Sequence, residues 1–208
     1  MFQAHQLTKS YGRRTVLRPV SFCLPRGGCL GIVGENGSGK STLLSILAQT
    51  CRPGSGTITY QGRSVLGDRR FLREKLGYVP QSSDLIPSLT ARQQLSLWRS
   101  ACAGPSELPG GAAEMLGLKE LLPLKIEEMS GGMRQRVSIA MALSSSPEIL
   151  IMDEATTGLD DGCREALLSW LEAYLRRGGR MVWCSHHPEE IQRLCGSVIN
   201  LSERQSGH

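Results

Sequence analysis

Three stretches of this chain gather residue types that handle phosphate, a divalent cation and water. Gly34-Glu35-Asn36-Gly37-Ser38-Gly39-Lys40-Ser41 follows the pattern G-x-x-x-x-G-K-[ST]. Glycines there let the backbone curl so that successive N–H groups converge on phosphate oxygens. A helix starting at the end of the run presents its N-terminus to the same anion. In such a loop Lys40 reaches the β- and γ-phosphates, and the Ser41 hydroxyl binds Mg²⁺. At average composition the pattern arises by accident in roughly one chain of this length in a hundred. The candidate nucleotide-binding residues are therefore Gly34, Asn36, Gly37, Ser38, Gly39, Lys40, Ser41 and Thr42.

The second stretch, Ile149-Leu150-Ile151-Met152-Asp153-Glu154, is an apolar run ending in two carboxylates. As a strand tip it places Asp153 to hold Mg²⁺ through water. Successive strand side chains point to opposite faces. Glu154 therefore reaches the γ-phosphate, to orient or deprotonate an attacking water, only if the chain turns at the tip. The third stretch, Ser130-Gly131-Gly132-Met133-Arg134-Gln135-Arg136, opens a helix with a serine N-cap and two glycines that offer N–H groups to an anion. Taken alone, that run is equally an ordinary capped helix.

These residues need a scaffold, and the flanking sequence supplies one. Cys29–Val33 is a short apolar run before the glycine loop, and Ser41–Gln49 has helical character after it. Strand, loop and helix in that order suit a parallel α/β sheet covered on both sides. Phe2–Lys9, Val16–Leu24, Thr57–Gln61 and Leu76–Pro80 read as further strands, with turns at Arg26-Gly27-Gly28 and Pro53-Gly54-Ser55-Gly56. After Gln81 the texture changes. Arg92–Ala103 and Ala112–Leu122 read as helices, separated by Gly104-Pro105 and Pro109-Gly110-Gly111, so 82–146 is expected to be a mostly helical insert. Sheet character returns at Glu148–Met152, followed by a helix at Asp161–Arg177, a strand at Arg180–Cys184, a helix at Pro188–Leu194 and a strand at Ser197–Leu201. The expected division is a nucleotide-binding core of 1–81 and 147–201, the insert, and a fraying tail at 202–208.

Composition narrows the function classes. The 208 residues are 40% hydrophobic and 21% charged, as in globular domains. The longest stretches free of Asp, Glu, Lys and Arg are Ser41–Cys51 and Val137–Pro147, both short of the ~20 apolar residues a bilayer-crossing helix needs. The first residues carry no secretory signal pattern. Net charge is +5, from 24 basic and 19 acidic residues, and the basic residues are scattered. No nucleic-acid partner is expected. Seven cysteines without a C-x-x-C pair argue against a metal cluster or a disulfide framework, and for reduced thiols in a cytosolic compartment.

Taken together and in this order, the stretches resemble the ATP-binding subunit of ATP-binding cassette (ABC) transporters, along essentially the whole chain. Met129–Arg136 is similar to the family signature L-S-G-G-Q followed by basic residues. The resemblance implies the ABC ATPase fold: a P-loop NTPase mixed sheet with an antiparallel β subdomain and an inserted helical subdomain. It also implies roles for single residues. Tyr11 resembles the aromatic that stacks on adenine, and Gln81 the glutamine that contacts Mg²⁺ and senses the membrane partner. Gly158-Leu159-Asp160 resembles the loop that crosses to the other subunit. His186, after Cys184-Ser185, resembles the histidine that holds the γ-phosphate; His187 beside it fits that pattern less well.

In the family two ATP molecules are sandwiched between facing subunits, with Ser130, Gly131 and Gly132 acting in trans. The implied partners are thus a second ABC ATPase subunit, identical or paralogous, and a separate transmembrane permease docked around Gln81–Leu95. The implied catalytic residues are Glu154, His186 and Lys40, the ligands of Mg²⁺ are Ser41, Gln81 and Asp153, and the reaction is ATP hydrolysis. The implied location is cytoplasmic, peripheral at the inner face of the cell membrane. Leu85–Leu95 looks most like compact exporter subunits. The alternative is a soluble cassette ATPase of the cluster-assembly type; a small-molecule kinase on the same loop leaves Ser130–Gly132 and His186 unexplained. Three positions depart from the family pattern: Met133 stands for the signature glutamine, Ala155 for the proline after the catalytic glutamate, and Gln93 for a frequent Glu.

Overall fold

The computed structural model describes residues 1–82, 84–102, 108–109 and 111–202, apart from the side chains of residues 101 and 102. The expected Gly104-Pro105 break, Gly110 and the tail beyond Ser202 lie outside the described residues. Along the chain run β1 (Phe2–Tyr11), β2 (Arg14–Leu24), β3 (Cys29–Val33), α1 (Lys40–Leu47), β4 (Ser55–Tyr60), the short β5 (Arg63–Ser64), α2 (Arg69–Lys75) and β6 (Leu76–Val79). Between β6 and the next strand come α3 (Ala91–Cys102), α4 (Ala112–Met115), α5 (Leu118–Leu121), a 3-10 turn at Ile126–Glu128 and α6 (Gly131–Leu143). The chain then returns through β7 (Ile149–Asp153), α7 (Asp161–Arg176), β8 (Arg180–Cys184), α8 (Pro188–Leu194) and β9 (Ser197–Asn200).

Parallel and antiparallel strands segregate into two sheets. One is parallel, in the order β6-β7-β8-β3-β9; the other is antiparallel, in the order β2-β1-β4-β5. Strands β7 and β8 are buried at every position, as strands covered on both faces must be. Their period of two divides the core. Leu150, Met152, Met181 and Trp183 face the cluster shared with α3, α4, α5, α6 and α7. Ile149, Ile151, Val182 and Cys184 face the cluster shared with α1 and the antiparallel sheet.

Two local features differ from the sequence expectation. The helix expected at Ala112–Leu122 is two short helices, because Gly117 takes φ 57° and its N–H closes back on Glu114 O at 2.9 Å. That left-handed turn ends α4. Helix α2, absent from the sequence reading, is started by Asp68, whose Oδ1 accepts from Arg70 N at 2.9 Å and Phe71 N at 3.0 Å. Phe71 then stacks on Phe2 and tilts against Tyr60.

Register places the chemistry. Strands β6, β7, β8 and β3 all run the same way, so their C-terminal ends share one edge. From that edge leave Pro80-Gln81, Asp153-Glu154, Ser185-His186 and the glycine loop after Val33. Open α/β sheets hold their ligands at this edge.

Candidate functional site

A cavity of about 510 Å³ opens at that edge, lined by Asn36, Gly37, Gly39, Lys40, Ser41, Thr42, Gln81, Asp153, Glu154 and His186, with Arg14 and Val16 on its far wall. The glycine loop is fixed from behind. Gly39 has φ 95°, and a Cβ on it would lie 2.6 Å from Val16 O, so only glycine fits where β2 crosses the loop. Gly37 has φ 83° and nothing within 4 Å of its Cβ position, which leaves its backbone open to the cavity. Helix α1 starts at Lys40, and its first N–H groups have no preceding turn to bond. Lys40 Nζ donates to Gly34 O at 2.7 Å and Glu35 O at 3.0 Å, which folds the cation over the loop. Ser38 is buried beneath it.

The turn at the tip of β7 is present. Glu154 has φ 55°, a costly conformation for a non-glycine residue, and its N–H is held by Cys184 O at 3.0 Å. Its carboxylate is thereby turned back beside Asp153, and Glu154 Oε1 lies 3.2 Å from His186 Nε2. Burial pushes the Glu154 carboxyl above the usual range, with His186 pulling partly the other way. His186 is the histidine beside Glu154, while His187 Nδ1 faces Glu189 at 3.6 Å.

The residues fit a magnesium ion. Asp153 is 2% exposed, and its Oδ2 has no hydrogen-bond partner among the described residues, an expensive state for a buried oxygen. Asp153, Glu154 and Cys184 can bring one ligand atom each within 4.8 Å of one another. Cys184 Sγ donates to Glu154 Oε1 at 3.9 Å, and burial raises its thiol, which leaves the carboxylates as the hard donors of the group. Oxygen donors suit a small hard cation, with Ser41 and Gln81 on the same cavity wall.

Tyr11 stands apart from the cavity walls. It pairs with Arg14 across the β1–β2 hairpin, is 57% exposed, and its hydroxyl lies 3.6 Å from Cys51 Sγ. Lys9 Nζ sits 5.1 Å over the ring. Arg14 and Val16 reach the cavity instead, and sequence reading passed over both. The available signal was the turn at Gly12, which brings the start of β2 back toward the glycine loop.

Ser130, Gly131 and Gly132 are not part of the cavity. They form the N-terminus of α6, where Ser130 Oγ accepts from Met133 N at 3.2 Å. A Cβ on Gly132 would lie 2.2 Å from Gly158 O, so the signature rests directly on the loop Gly158-Leu159-Asp160 of its own chain. Arg136 pairs with Asp160, and Gln135 Nε2 donates to Ala155 O at 3.1 Å. Two of the departures carry local roles. Met133 Sδ accepts from Ser130 N at 3.4 Å, completing a capping box with a thioether. Gln93 Oε1 accepts from Thr90 N at 2.9 Å, a capping box at the start of α3. Among the described residues no disulfide forms, although Cys29 and Cys195 bring their sulfurs to 3.4 Å.

Comparison with known proteins agrees with this geometry. The family described as ABC transporter matches residues 17–157. The linearmycin resistance ATP-binding protein LnrL of Bacillus subtilis is 37% identical over 202 residues, covering 95% of this chain and 65% of that protein. The Nod factor export ATP-binding protein I of Paraburkholderia xenovorans is 36% identical, covering 95% of this chain and 66% of that protein. The chain thus spans just under two thirds of the length of these relatives. Among solved structures, an ATP-binding subunit of an ABC transporter superposes with a TM-score of 0.88 at 26% identity, covering 97% of this chain and 86% of that one. A dimeric ATP-binding cassette in a post-hydrolysis state with ADP and Pi gives 0.84 at 26% identity, covering 98% and 95%. By family match, identity and fold, this chain belongs to the ABC transporter family and carries its ATP-binding ABC ATPase domain.

Proposed function

We propose that this chain hydrolyses ATP as one half of a dimer and so powers transport, in the export direction, through a separate membrane-spanning partner. The observation that carries this reading is the split of the site. The cavity supplies a phosphate cradle, a cation position and a water-orienting carboxylate, while Ser130–Gly132 lie outside its lining, at the N-terminus of α6. A second copy or a paralogue facing the cavity supplies the missing wall. The dimeric post-hydrolysis cassette supports that assembly, and the names of the relatives support a role in resistance or export.

In the assembled site the loop N–H groups and Lys40 hold the β- and γ-phosphates. Tyr11 offers its ring to the adenine base. Asp153, Ser41 and Gln81 would hold Mg²⁺, which would supply positive charge to stabilise the transferring phosphoryl group. Glu154 orients and accepts a proton from the attacking water, and His186 Nε2, beside it, holds the γ-phosphate. Ser130 and the N–H groups of Gly131 and Gly132 of the facing subunit close the other side. Phosphoryl transfer is catalysed mainly by such positioning and charge stabilisation.

A groove of about 630 Å³ beside the cavity supports docking of the permease around Gln81–Leu95, since it is lined by Gln81, Leu85 and Trp98 and shares Asp153 with the cavity. Ile86, Leu97 and Trp98 are large apolar side chains exposed at this region. No helix among the described residues is long and apolar enough to cross a membrane, so the bilayer pathway in this reading belongs to the partner. The chain then works at the inner face of the cell membrane. Copurification from native membranes tests it: a polytopic membrane protein should come with the chain in detergent, and its absence would favour the soluble cluster-assembly alternative.

A further inference from the structure

Glu190 on α8 is 0% exposed, and its carboxylate is reached by donors from three other segments. Oε2 accepts from Ser185 Oγ at 2.6 Å and from Thr156 Oγ1 at 3.2 Å. Oε1 accepts from Arg164 Nε of α7 at 2.8 Å, and Arg164 Nη2 goes on to Glu189 Oε1 at 2.8 Å. The Ser185 oxygen, its proton given to Glu190, accepts from His187 N at 3.1 Å. An ionised carboxylate is expensive to bury unless it is both paired and hydrogen-bonded, and this one is both.

The donors sit where hydrolysis needs them. Ser185 immediately precedes His186, and Thr156 lies two residues after Glu154. The two loops meet on the cavity side through Glu154 N to Cys184 O at 3.0 Å and through the 3.2 Å contact of Glu154 with His186. Glu190 joins the same two loops from behind. We propose that Glu190 is a positioning residue for ATP hydrolysis: it clamps the Glu154 loop to the His186 loop, so that base and γ-phosphate ligand move as one unit. The proposal rests on Glu154 and His186 being the hydrolytic pair. A neighbouring cluster on the same helix gives the contrast. Arg193 ties α8 to Glu165 and Glu172 of α7 at 2.7 Å, far from either catalytic loop in its bonding, and holds the helix without touching the site.

Steady-state ATPase measurements on the full chain test this with Glu190→Gln, His186→Ala and the double variant. A clamp lost by the amide should lower kcat about 10- to 100-fold, the scale of a displacement near 1 Å, with KM for ATP within about threefold. In the His186→Ala background the further loss should shrink below about threefold, because residues that act as a unit are non-additive. Ser185→Ala and Thr156→Val should each lower kcat part of the way, and they keep the proposal falsifiable if Glu190→Gln does not fold. Arg193→Ala should lower the melting temperature and leave kcat as it was. The proposal is overturned if Glu190→Gln behaves like Arg193→Ala, or if its loss multiplies fully onto that of His186→Ala. A His186→Ala chain with wild-type turnover would instead overturn the catalytic pair, and the clamp with it; a slow His186→Ala beside a fast Glu190→Gln removes the clamp alone.

Discussion

The phosphate cradle at Gly34–Thr42 hangs from the edge of a parallel sheet, whereas Ser130–Gly132 stand at the tip of a helix in the insert. The cradle is held from several directions: Val16 O against Gly39, the Lys40 bonds to Gly34 and Glu35, and buried Leu43, Leu44, Ile46 and Leu47 behind α1. The tip is held from below. Gly132 rests on Gly158, Arg136 on Asp160 and Gln135 on Ala155, while nothing lies within 4 Å of a Cβ on Gly131. The cradle can bind an anion within one chain. In the proposed function the tip offers the N–H groups of Gly131 and Gly132 to a nucleotide on the facing subunit. Binding and hydrolysis are therefore expected to separate by region.

The largest effect should follow from Lys40→Ala. It removes the side-chain cation that folds over the loop, and loss of one such donor costs about 10²–10³-fold in turnover. Phosphate release at saturating ATP measures it. Near wild-type turnover in a folded Lys40→Ala chain would dismantle the cradle assignment. Ser130→Arg should lose turnover comparably, by placing bulk and charge at the facing surface, yet nucleotide affinity of the single chain should stay within about threefold. The two dead variants sharpen the comparison when mixed. In a homodimer, the Ser130→Arg chain keeps its cradle and the Lys40→Ala chain keeps its tip. One composite site is then intact, so mixing should restore part of the activity. No recovery, with dimers formed, would mean that both regions serve the same chain or that both sites must work together.

Glu154 gives an intermediate test. Its carboxyl is raised by burial and partly lowered by His186. As a base it works deprotonated, so turnover should fall as pH drops through a value above the ordinary glutamate pKa of ~4.3. Removing His186 removes the lowering influence and should move that acid limb to higher pH. Glu154→Gln should abolish the limb with the chemistry and trap ATP in a dimer that size exclusion resolves from the nucleotide-free chain. A limb that stays in place in His186→Ala would show that the 3.2 Å contact has no electrostatic weight.

Legibility in the sequence differed between the regions for a physical reason. The cradle, the apolar run Ile149–Met152 and the strand Arg180–Cys184 are local, so their spacing alone located them and their order set the parallel sheet. Glu154 could be assigned conditionally, since alternation forbids a second carboxylate at the same site without a turn; φ 55° is that turn. Contacts between distant segments were illegible. Nothing in the residues around Arg14 announces that Val16 O would seal Gly39, nor does Glu190 announce Thr156, thirty-four positions earlier. The tip was legible only as a helix cap until its resemblance to the family was weighed. Its support on Gly158 depends on Gly132, where a Cβ would collide with Gly158 O, and on the positive φ of Gly158, 78°, twenty-six positions later.

The smallest expected effect is that of Met133→Gln, and it decides what the fifth signature position does. Met133 turns back over its own helix start: its sulfur accepts from Ser130 N at 3.4 Å and its N–H donates to Ser130 Oγ at 3.2 Å. A glutamine at that position closes the same box with an oxygen, a better acceptor than a thioether. A whole N-cap is worth about 0.5–2 kcal/mol, so improving one of its two bonds should add no more than about 1 kcal/mol. In a chain of this size that is a rise of roughly 2–4 °C in melting temperature. The effect on hydrolysis should be smaller than about tenfold, since tenfold requires about 1.4 kcal/mol delivered to the transition state and the box delivers its energy to the helix. Thermal melting and turnover, measured on the same preparation with the facing subunit present, separate the two. A gain in turnover well above tenfold without a gain in melting temperature would place the glutamine across the interface, on the nucleotide of the other subunit. It would also mark the methionine site as the weaker of two in a heterodimer.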